Sequence, residues 1–314
     1  MTLNWQDVYQ NLYRRIDSSN YHNNTAVQRI HKIDDVYQVE TSTGVTYPAD
    51  LIIAADGVDS TIRAQLLPDC HPEYTGYIAW RGLVNELNPD ENPGFDQHIP
   101  YYVFPQGHLL LYNIPANNYQ ETGQTQLNWL FYENRPGMDP NALLIDKDQK
   151  QHTRSLPAGS LSQTHISYLH ELAERVLPKP ITTLIRQTQH PFLQAIFDFQ
   201  LPSYKNNHII FVGDAASTLR PHTASGVLKA LTNGIALTNL IEKNQEGILT
   251  DVVKQWQIMQ QSMAIEETVK AKSMGAALVT NPPNWDTMNQ ELMDSWWTSI
   301  MQGKTWYAIS TPSE

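Results

Sequence analysis

Two short apolar runs stand out along the chain, and each is followed at once by a small acidic turn. The first run is Leu51–Ala55, followed by Asp56-Gly57, and the second is Ile209–Val212, followed by Gly213-Asp214-Ala215-Ala216. Apolar runs without polar alternation are typical of strands buried on both faces of a parallel sheet. A helical run, Val227–Leu240, follows the second turn. This order of strand, turn and helix predicts an α/β domain with a ligand site at the carboxyl ends of its strands.

Between the two runs, from residue 74 to about 196, apolar and polar residues alternate in several segments separated by Pro, Gly and Asn. Such alternation predicts an antiparallel sheet that forms a layer of its own, so the fold class is α/β locally and α+β overall. Residues 134–164 are predicted to be loop. Residues 167–176 are predicted to form a short helix that is stopped by Pro178 and Pro180.

Helical spacing marks both ends of the chain. Thr2–Ile16 carries an apolar stripe at helical spacing, and Ile248–Ala276 is predicted to be a long amphipathic helix. A tryptophan-rich tail follows, containing Trp285, Trp296, Trp297 and Trp306. The predicted domains are therefore an α/β domain of residues 1–73 and 197–245, a sheet domain of residues 74–196, and a helical C-terminal region of residues 246–314.

Composition narrows the classes of partner. The chain has 314 residues, enough for about two domains, with 41% hydrophobic and 17% charged residues. A net charge of −11 without any basic run argues against nucleic acid. Apolar runs are too short to span a membrane, and we expect no secretory signal. The single cysteine, Cys70, fits a reducing cytoplasm, and a homodimer is left open.

The acidic turns are the strongest candidates for ligand chemistry. A carboxylate can accept hydrogen bonds from a polyol or a ribose, and small neighbours let a ligand approach the backbone. The alternatives are that Asp214 only caps the helix after it and that Asp56-Gly57 is an ordinary turn. Ser60 is predicted to cap the helix that carries Arg63.

Both turns, in this order around a β-rich insertion, resemble motifs of the class A FAD-dependent aromatic hydroxylases, which have the para-hydroxybenzoate hydroxylase fold. The middle motif of that family is matched by Asp56, Gly57, Ser60 and Arg63. The late motif is matched by Gly213, Asp214, Ala215, Ala216, Pro221 and Gly226. The loop from Pro221 to Gly226 is similar to that of the 2,6-dihydroxypyridine 3-monooxygenase branch.

The resemblance implies an FAD-binding Rossmann-like domain with an inserted substrate domain. It implies that the middle motif touches FAD and the nicotinamide coenzyme, that Asp214 binds the ribityl hydroxyls, and that the segment after Pro221 lies along the flavin ring. The implied activity is an FAD- and NAD(P)H-dependent monooxygenase that uses O2, through a flavin C4a-hydroperoxide, to hydroxylate a small activated aromatic or N-heteroaromatic ring of the dihydroxypyridine kind.

On the substrate side, the candidates come from the loop beside the flavin and from the sheet. The candidate catalytic residues are His222, Arg220 and Tyr132, and the candidate substrate contacts are Tyr102, Tyr112 and Trp129. A histidine titrates near neutrality, which suits a general base, although a structural loop histidine is the alternative. Core packing is the alternative for the sheet aromatics. For Arg63 and Arg81 two functions are left open: contact with a phosphate or carboxylate, or a simple ion pair.

One motif of the family is absent, because no Gly-x-Gly-x-x-Gly occurs in the sequence. That motif holds the FAD pyrophosphate at a helix N-terminus, and the resemblance implies that roughly the first hundred residues of the fold are missing. We therefore expect the chain alone to bind FAD poorly or not at all. The rival functions are a non-catalytic remnant or subunit and a flavin oxidoreductase that does not hydroxylate. Scattered histidines and the lack of Gly-x-Ser-x-Gly disfavour metal and serine hydrolases.

Overall fold

The computed structural model describes residues 5–34, 36–85, 99–116, 119–244 and 249–301. Helices in this part of the chain are α1 (Trp5–Tyr13), α2 (Thr61–Leu66), α3 (Tyr119–Thr122), α4 (Pro140–Leu143), α5 (Gln163–Val176), α6 (Lys179–Gln187), α7 (Gly226–Lys243), α8 (Leu249–Gly275) and α9 (Gln290–Met301). Strands in the same part are β1 (Val27–Ile33), β2 (Val36–Thr41), β3 (Thr46–Ala49), β4 (Ile52–Ala54), β5 (Glu73–Asn85), β6 (Tyr101–Phe104), β7 (Gly107–Pro115), β8 (Thr125–Asn134), β9 (Ser155–Leu156), β10 (Phe192–Gln200), β11 (Lys205–Asn206), β12 (Ile209–Phe211) and β13 (Ser217–Thr218).

The chain divides into two compact units, which we call the sheet unit and the parallel unit. The sheet unit comprises residues 1–21, 74–196 and 276–295, and the parallel unit comprises residues 22–73, 197–275 and 296 onward. The predicted domains placed residues 1–73 together and made residues 246–314 a region of their own. The compact units instead group α1 with the sheet and the whole of α8 with the parallel strands.

The two acid-bearing strands of the parallel unit are direct neighbours. β4 and β12 pair in parallel, with Ile52 opposite Ile209 and Ala54 opposite Phe211, and β11 flanks β12 on its other side. β12 is fully buried, as predicted. β4 differs from the prediction of a strand buried on both faces, because Ile53 is 50% exposed. Side chains alternate between the two faces of a strand, so one face of β4 is open among the described residues.

The core of the parallel unit is assembled from distant segments of the chain. The meander β1-β2-β3 contributes Ile30 and Tyr37, and α8 contributes Val253 and Trp256 to the same buried cluster as β12. The long helix predicted over residues 248–276 is observed as α8 over Leu249–Gly275. The paired strands and their turns therefore rest on a continuous apolar base.

The sheet unit is built on long antiparallel strands, which confirms the prediction for this region. Its strand order is β10-β5-β8-β7-β6, and β5 pairs with β8 from Tyr77 opposite Asn134 to Asn85 opposite Gln126. The last residues of β10 belong to the parallel unit, where Phe199 pairs with Thr218 of β13. Fully buried aromatic side chains fill the centre of the sheet unit.

The helices of the sheet unit correct two predictions. α5 begins at Gln163, four residues earlier than predicted, since Ser162 caps it and forms a capping box with His165. The chain then enters α6, which the prediction missed because it contains Pro180. Proline lacks a backbone N–H, but the first turn of a helix leaves those groups unpaired anyway, so Pro180 is tolerated there. The predicted loop of residues 134–164 also contains α4 and β9.

The predicted N-terminal helix Thr2–Ile16 is observed as α1, which ends at Tyr13, three residues earlier than predicted; its predicted first residues, 2–4, lie outside the described residues. In the tail, Trp296 and Trp297 lie on α9 with ring centroids 6.0 Å apart, whereas Trp306 lies outside the described residues. Within the described ranges, no helix is long and apolar enough to cross a membrane.

Candidate functional site

The turn after β12 is held by hydrogen bonds to two polar residues of α7. Gly213 has a φ of +58°, a left-handed conformation that glycine adopts easily. Its N–H donates to Asn233 Oδ1 at 2.9 Å. Lys229, one helical turn before Asn233, donates from Nζ to the backbone oxygen of Ser217, to Ser217 Oγ at 3.0 Å and to Asp214 Oδ1 at 3.4 Å. The turn and the helix after it are therefore one hydrogen-bonded structure.

The polar contacts continue from α7 into α8. Asn233 Nδ2 donates to Gln260 Oε1 at 2.9 Å, and Trp256 Nε1 donates to the backbone oxygen of Asn233 at 2.9 Å. Asn233, Gln260 and Lys229 are all buried. Burial lowers the pKa of Lys229, and the nearby carboxylate of Asp214 opposes that shift. Buried polar groups of this kind are stable only when they are paired, which is the case here.

The turn after β4 leads directly into α2. Asp56 Oδ2 accepts from the N–H of Ile62 at 3.2 Å, and Gly57 has a φ of +80°. Ser60 caps α2, because its Oγ accepts from the N–H of Arg63 at 3.0 Å; the predicted cap is confirmed. Asp56 therefore has a local structural role in addition to its predicted role at the cofactor.

Arg63 joins the two motifs. Its guanidinium donates to the backbone oxygens of Cys70, at 3.2 Å, and Ala215, at 2.9 Å, and also to that of Val58. Its Cζ atom lies over the ring of Phe199, 4.4 Å from the ring centre. The side chain is buried. These partners are backbone oxygens and a ring, whereas the sequence left Arg63 open between a ligand phosphate or carboxylate and an ion pair. Its predicted contact with the cofactor stays a prediction.

The loop after β13 carries the two predicted catalytic residues of the parallel unit. Arg220 Nε donates to Asp198 Oδ2 at 2.8 Å, and Lys272 Nζ lies 3.7 Å from the same oxygen. His222 is buried in the short 3₁₀ turn Pro221–Thr223. α7 then begins at Gly226 without a side-chain cap, so Asp214 does not cap this helix.

A pocket of about 320 Å³ opens beside this ion pair. Its walls include Asp198 and Lys272, and also Cys70, whose thiol is free and half-buried. Thr268 Oγ1 donates to Gln200 Oε1 at 3.2 Å on another wall. The pocket is polar and carries charges of both signs.

In the sheet unit, the predicted Tyr132 lies in an aromatic stack with a histidine that the sequence reasoning missed. Its ring centre lies 4.9 Å from that of His108, and Tyr101 stacks on the other side of His108 at 5.4 Å. Burial raises the pKa of Tyr132. Its phenol therefore stays protonated at neutral pH, which suits hydrogen bonding and does not suit a general base.

His108 itself is buried and neutral. Its Nδ1 lies 3.3 Å from the backbone oxygen of Leu278, so Nδ1 carries the proton. Burial lowers the pKa of His108 to about 4.

The other predicted substrate contacts differ in how accessible they are. Trp129 is fully buried, and its Nε1 donates to Thr188 Oγ1 at 2.9 Å. Tyr102 and Tyr112 are half-buried on β6 and β7, and burial raises the pKa of Tyr102. Their contacts with a substrate, like that of Trp129, stay predictions, and the packing of Trp129 agrees with the core alternative.

Arg81 is partly covered on β5. Its Nη1 donates to Gln194 Oε1 at 3.2 Å, and its guanidinium lies 5.2 Å from the ring centre of Phe192. Its Nε is buried and has no hydrogen-bond partner within the described residues. Among the described residues no ion pair involves Arg81, and its contact with a phosphate or carboxylate of a ligand stays a prediction.

The structure thus brings the two acidic turns together in the parallel unit. In the sheet unit it separates the aromatic candidates, because Tyr112 and Tyr132 lie on one face of the sheet and Tyr102 and Trp129 lie on the other. Sequence reasoning missed Lys229 and Asn233. The signal that could have revealed them is a polar pair four residues apart on an otherwise apolar helix. Over the ranges described, no group of three or more His, Cys, Asp or Glu side chains could hold a metal ion.

Comparisons with known proteins point to one group of enzymes. Residues 74–198 match the sequence model of the FAD binding domain-like family. The chain is 26% identical over 276 residues to 2,6-dihydroxypyridine 3-monooxygenase of Paenarthrobacter nicotinovorans, covering 87% of this chain and 68% of the relative. It is 25% identical over 242 residues to salicylate hydroxylase of Pseudomonas putida, covering 72% of this chain and 51% of the relative.

A solved structure agrees with these relatives. The 2,6-dihydroxypyridine-3-hydroxylase of Arthrobacter nicotinovorans superposes with a TM-score of 0.82 at 27% identity, covering 89% of this chain and 70% of that one. The chain is a homologue of the class A flavin monooxygenases. As in these homologues, the fold is mixed α/β with an antiparallel sheet. The chain spans 68% of the length of the 2,6-dihydroxypyridine 3-monooxygenase and about half, 51%, of the salicylate hydroxylase.

FAD is the cofactor that this homology indicates, and the residues of this chain fit one part of FAD. Asp214 is half-exposed, and only its Oδ1 is engaged by the described residues, so Oδ2 is open to a hydroxyl donor. No described residue is assigned to the pyrophosphate, whose motif Gly-x-Gly-x-x-Gly does not occur in the sequence. The parallel unit therefore fits the polyol part of FAD and leaves its phosphates unassigned.

Proposed function

We propose that the chain acts in FAD- and NAD(P)H-dependent hydroxylation of an activated aromatic or N-heteroaromatic ring of the dihydroxypyridine kind. One observation carries the proposal. Arg63 joins the two acid-glycine turns, which lie at the ends of the parallel strands β4 and β12. The strand ends of such sheets are where α/β domains bind nucleotides. The similarity to a dihydroxypyridine monooxygenase supports the choice of substrate class.

In this proposal, Asp214 accepts hydrogen bonds from ribityl hydroxyls, while Gly213 and Ala215 allow the ligand to approach the backbone. The N-terminus of α7 at Gly226 favours the electron-rich edge of the ring system, because helix N-terminal amides carry partial positive charge. When bound, FAD would supply the redox chemistry, namely the uptake of electrons from the nicotinamide coenzyme and the activation of O2. Asp56 and its turn are assigned to further contacts with the cofactor.

The substrate side requires a group that removes a proton from a ring hydroxyl and groups that orient the ring. We assign the proton transfer to His222 and the charge stabilisation to Arg220, which Asp198 holds in place. Tyr132 is assigned as a hydrogen-bond donor, since burial keeps its phenol protonated. Tyr112 lies on the same face of the sheet as Tyr132 and is assigned to ring contact. Tyr102 and Trp129 lie on the opposite face, so they are assigned no contact with the same ring.

The test is an activity assay with product analysis. The purified chain is mixed with FAD, NADH or NADPH, 2,6-dihydroxypyridine and isotopically labelled O2. Because the sequence lacks Gly-x-Gly-x-x-Gly and weak binding of FAD is expected, FAD is supplied in large excess. Under these conditions we expect substrate-dependent oxidation of the coenzyme and one labelled oxygen atom in the product. Oxidation of the coenzyme without labelled product would indicate a flavin oxidoreductase that does not hydroxylate, and no oxidation would support the non-catalytic alternative.

The variant Asp214→Asn tests the role that we assign to this carboxylate in FAD binding. It removes the charge that we assign to ribityl binding, so the Kd for FAD is expected to rise about tenfold, equivalent to about 1.4 kcal/mol. Asp251→Asn removes an exposed carboxylate from α8 and serves as the matched control, with an unchanged Kd expected.

A further inference from the structure

Lys229 is an unusual residue for its position. It lies in the apolar helix α7 with only 7% of its side chain exposed. A lysine this buried requires partners for its charge. The ammonium has three N–H donors, and its three acceptors are the backbone oxygen of Ser217, Ser217 Oγ and Asp214 Oδ1. All of its acceptors therefore belong to the turn that follows β12 and the strand after it.

Lys229 and Asn233 hold different parts of that turn. The two residues are four apart, so they lie on one face of α7. Asn233 accepts the N–H of Gly213 and so fixes the backbone. Lys229 contacts the carboxylate of Asp214, and it also fixes Ser217 on the far side of the turn. The backbone and the carboxylate are therefore restrained by separate side chains.

The carboxylate of Asp214 is restrained on one side only. Half of the side chain is exposed, although its partner Lys229 is buried. Oδ1 faces the ammonium at 3.4 Å, and Oδ2 accepts no hydrogen bond from the residues that the structure describes. A fixed acceptor loses less conformational entropy when it binds a ligand than a mobile one does. The geometry thus presents one oriented oxygen at the strand end.

We propose that Lys229 is the positioning residue of the flavin site, because its ammonium holds Asp214 so that Oδ2 accepts hydrogen bonds from polyol hydroxyls. This role rests on the proposed function, since the polyol is the ribityl chain. Lys229 acts only through Asp214 and Ser217. The competing explanation is a purely structural lysine that anchors Ser217 and has no effect on ligand affinity beyond the stability of the turn.

A double-mutant cycle separates the two explanations. Riboflavin and FAD are titrated separately into the wild-type chain, Lys229→Met, Asp214→Asn and the double variant, and Kd is obtained from the change in flavin fluorescence. We expect each single variant to raise Kd about tenfold, and the double variant to bind no more weakly than Asp214→Asn. A further tenfold loss in the double variant would show that Lys229 acts independently of Asp214 and would overturn the proposal.

Lys243→Met is the matched control, because it removes an exposed lysine from the last turn of the same helix. Its Kd is expected to equal that of the wild type. A Kd that is unchanged in Lys229→Met would also overturn the proposal. Because weak binding is expected without Gly-x-Gly-x-x-Gly, both flavins are titrated to high concentration. A wild-type chain that binds neither flavin there would contradict the proposed function for this chain, and that result differs from the loss of the Lys229 effect alone.

A measurement without ligand tests the restraint directly. Amide hydrogen exchange is compared for residues 213–218 in the wild type, Lys229→Met and Lys243→Met. We expect Lys229→Met to raise the exchange rate of this segment about tenfold or more, while the strands β1 and β2 keep their wild-type rates. Equal rates in all three proteins would mean that Lys229 does not hold the turn, and a rise throughout the parallel unit would indicate the purely structural role.

Discussion

Arg63 shows how one side chain can connect two motifs that are far apart in the sequence. It lies on α2, directly after the first acidic turn, and its Nη1 donates to the backbone oxygen of Ala215 in the second turn. A guanidinium offers five donors in a rigid plane, so it can bind several carbonyl oxygens at once. The two turns are thereby fixed relative to each other before any ligand is bound.

His108 gives a prediction about stability and pH. Its pKa is lowered to about 4 in the folded chain, against about 6.5 in an unfolded one. Below pH 6.5 the unfolded chain therefore binds a proton that the folded chain does not, so the free energy of unfolding falls as the pH drops from 6.5 towards 4. We expect this histidine alone to lower the free energy of unfolding by about 2 kcal/mol between pH 7 and pH 5.

The measurement is urea unfolding at pH 7 and pH 5 for the wild type and for His108→Phe. Phenylalanine fills a similar volume and cannot take up a proton, so the variant should lose about 2 kcal/mol less than the wild type over this range. Every other titrating group is common to the two proteins. An equal loss in both would show that His108 does not set this part of the pH dependence.

Local residue roles could be predicted from the sequence, and long-range ones could not. The cap at Ser60 involves residues three positions apart, which sequence spacing shows directly. The acceptors of Arg63 are backbone oxygens, which carry no residue-specific signal. The same holds for Lys229, whose main partners come from a different strand and turn. Its burial becomes visible only once the helix is placed over them.

At the scale of elements, close contact between β5 and β8 depends on a missing side chain. Gly82 on β5 lies opposite Trp129 on β8. A Cβ atom at Gly82 would lie 2.6 Å from ring atoms of Trp129 and 2.6 Å from Cγ2 of Thr188. Both neighbours are buried and hydrogen-bonded to each other, so neither can move easily.

The same substitution is therefore expected to have opposite effects at two glycines. Gly82→Ala should lower the free energy of unfolding by about 1–3 kcal/mol, because it overpacks the sheet. Gly234→Ala lies in α7, where a Cβ would meet no atom within 4 Å, and should raise it by up to about 1 kcal/mol through helix propensity. Thermal and urea unfolding measure both. Destabilisation by Gly234→Ala would contradict the prediction for α7.

The elements themselves were predicted well where periodicity is strong. The antiparallel sheet and α8 follow from alternation and from helical spacing over many residues. α6 was missed because a proline was treated as a stop signal, although it occupies the first turn of a helix. The open face of β4 was missed for another reason. An apolar run indicates burial, but the neighbours that cover a strand are not encoded in the run itself.

At the scale of the whole molecule, the dominant electrostatic feature is the net charge of −11. Like charges repel one another most strongly in the compact state, and added salt screens this repulsion. Partly buried pairs such as Arg220–Asp198 are screened less than exposed charges. The balance therefore favours stabilisation of the folded chain by salt.

We expect the Tm at pH 8 to rise by a few degrees, roughly 2–4 °C, when NaCl is raised from 20 mM to about 200 mM. At pH 5.4, the isoelectric point calculated from the sequence, the net charge vanishes and the same addition should have little effect. Scanning calorimetry at the two pH values provides the comparison. A decrease in Tm at pH 8 would mean that attractive ion pairs outweigh the repulsion.

The single cysteine offers a direct way to observe the connection that Arg63 makes between the two acidic turns. Cys70 is half-buried at the pocket wall, and its own backbone oxygen accepts from Arg63 Nε. Because the sequence contains no other thiol, a maleimide dye would attach at one position only. An environment-sensitive fluorophore placed there would report, in real time and without mutagenesis, whether the linked turns rearrange when a flavin or an aromatic ring is added.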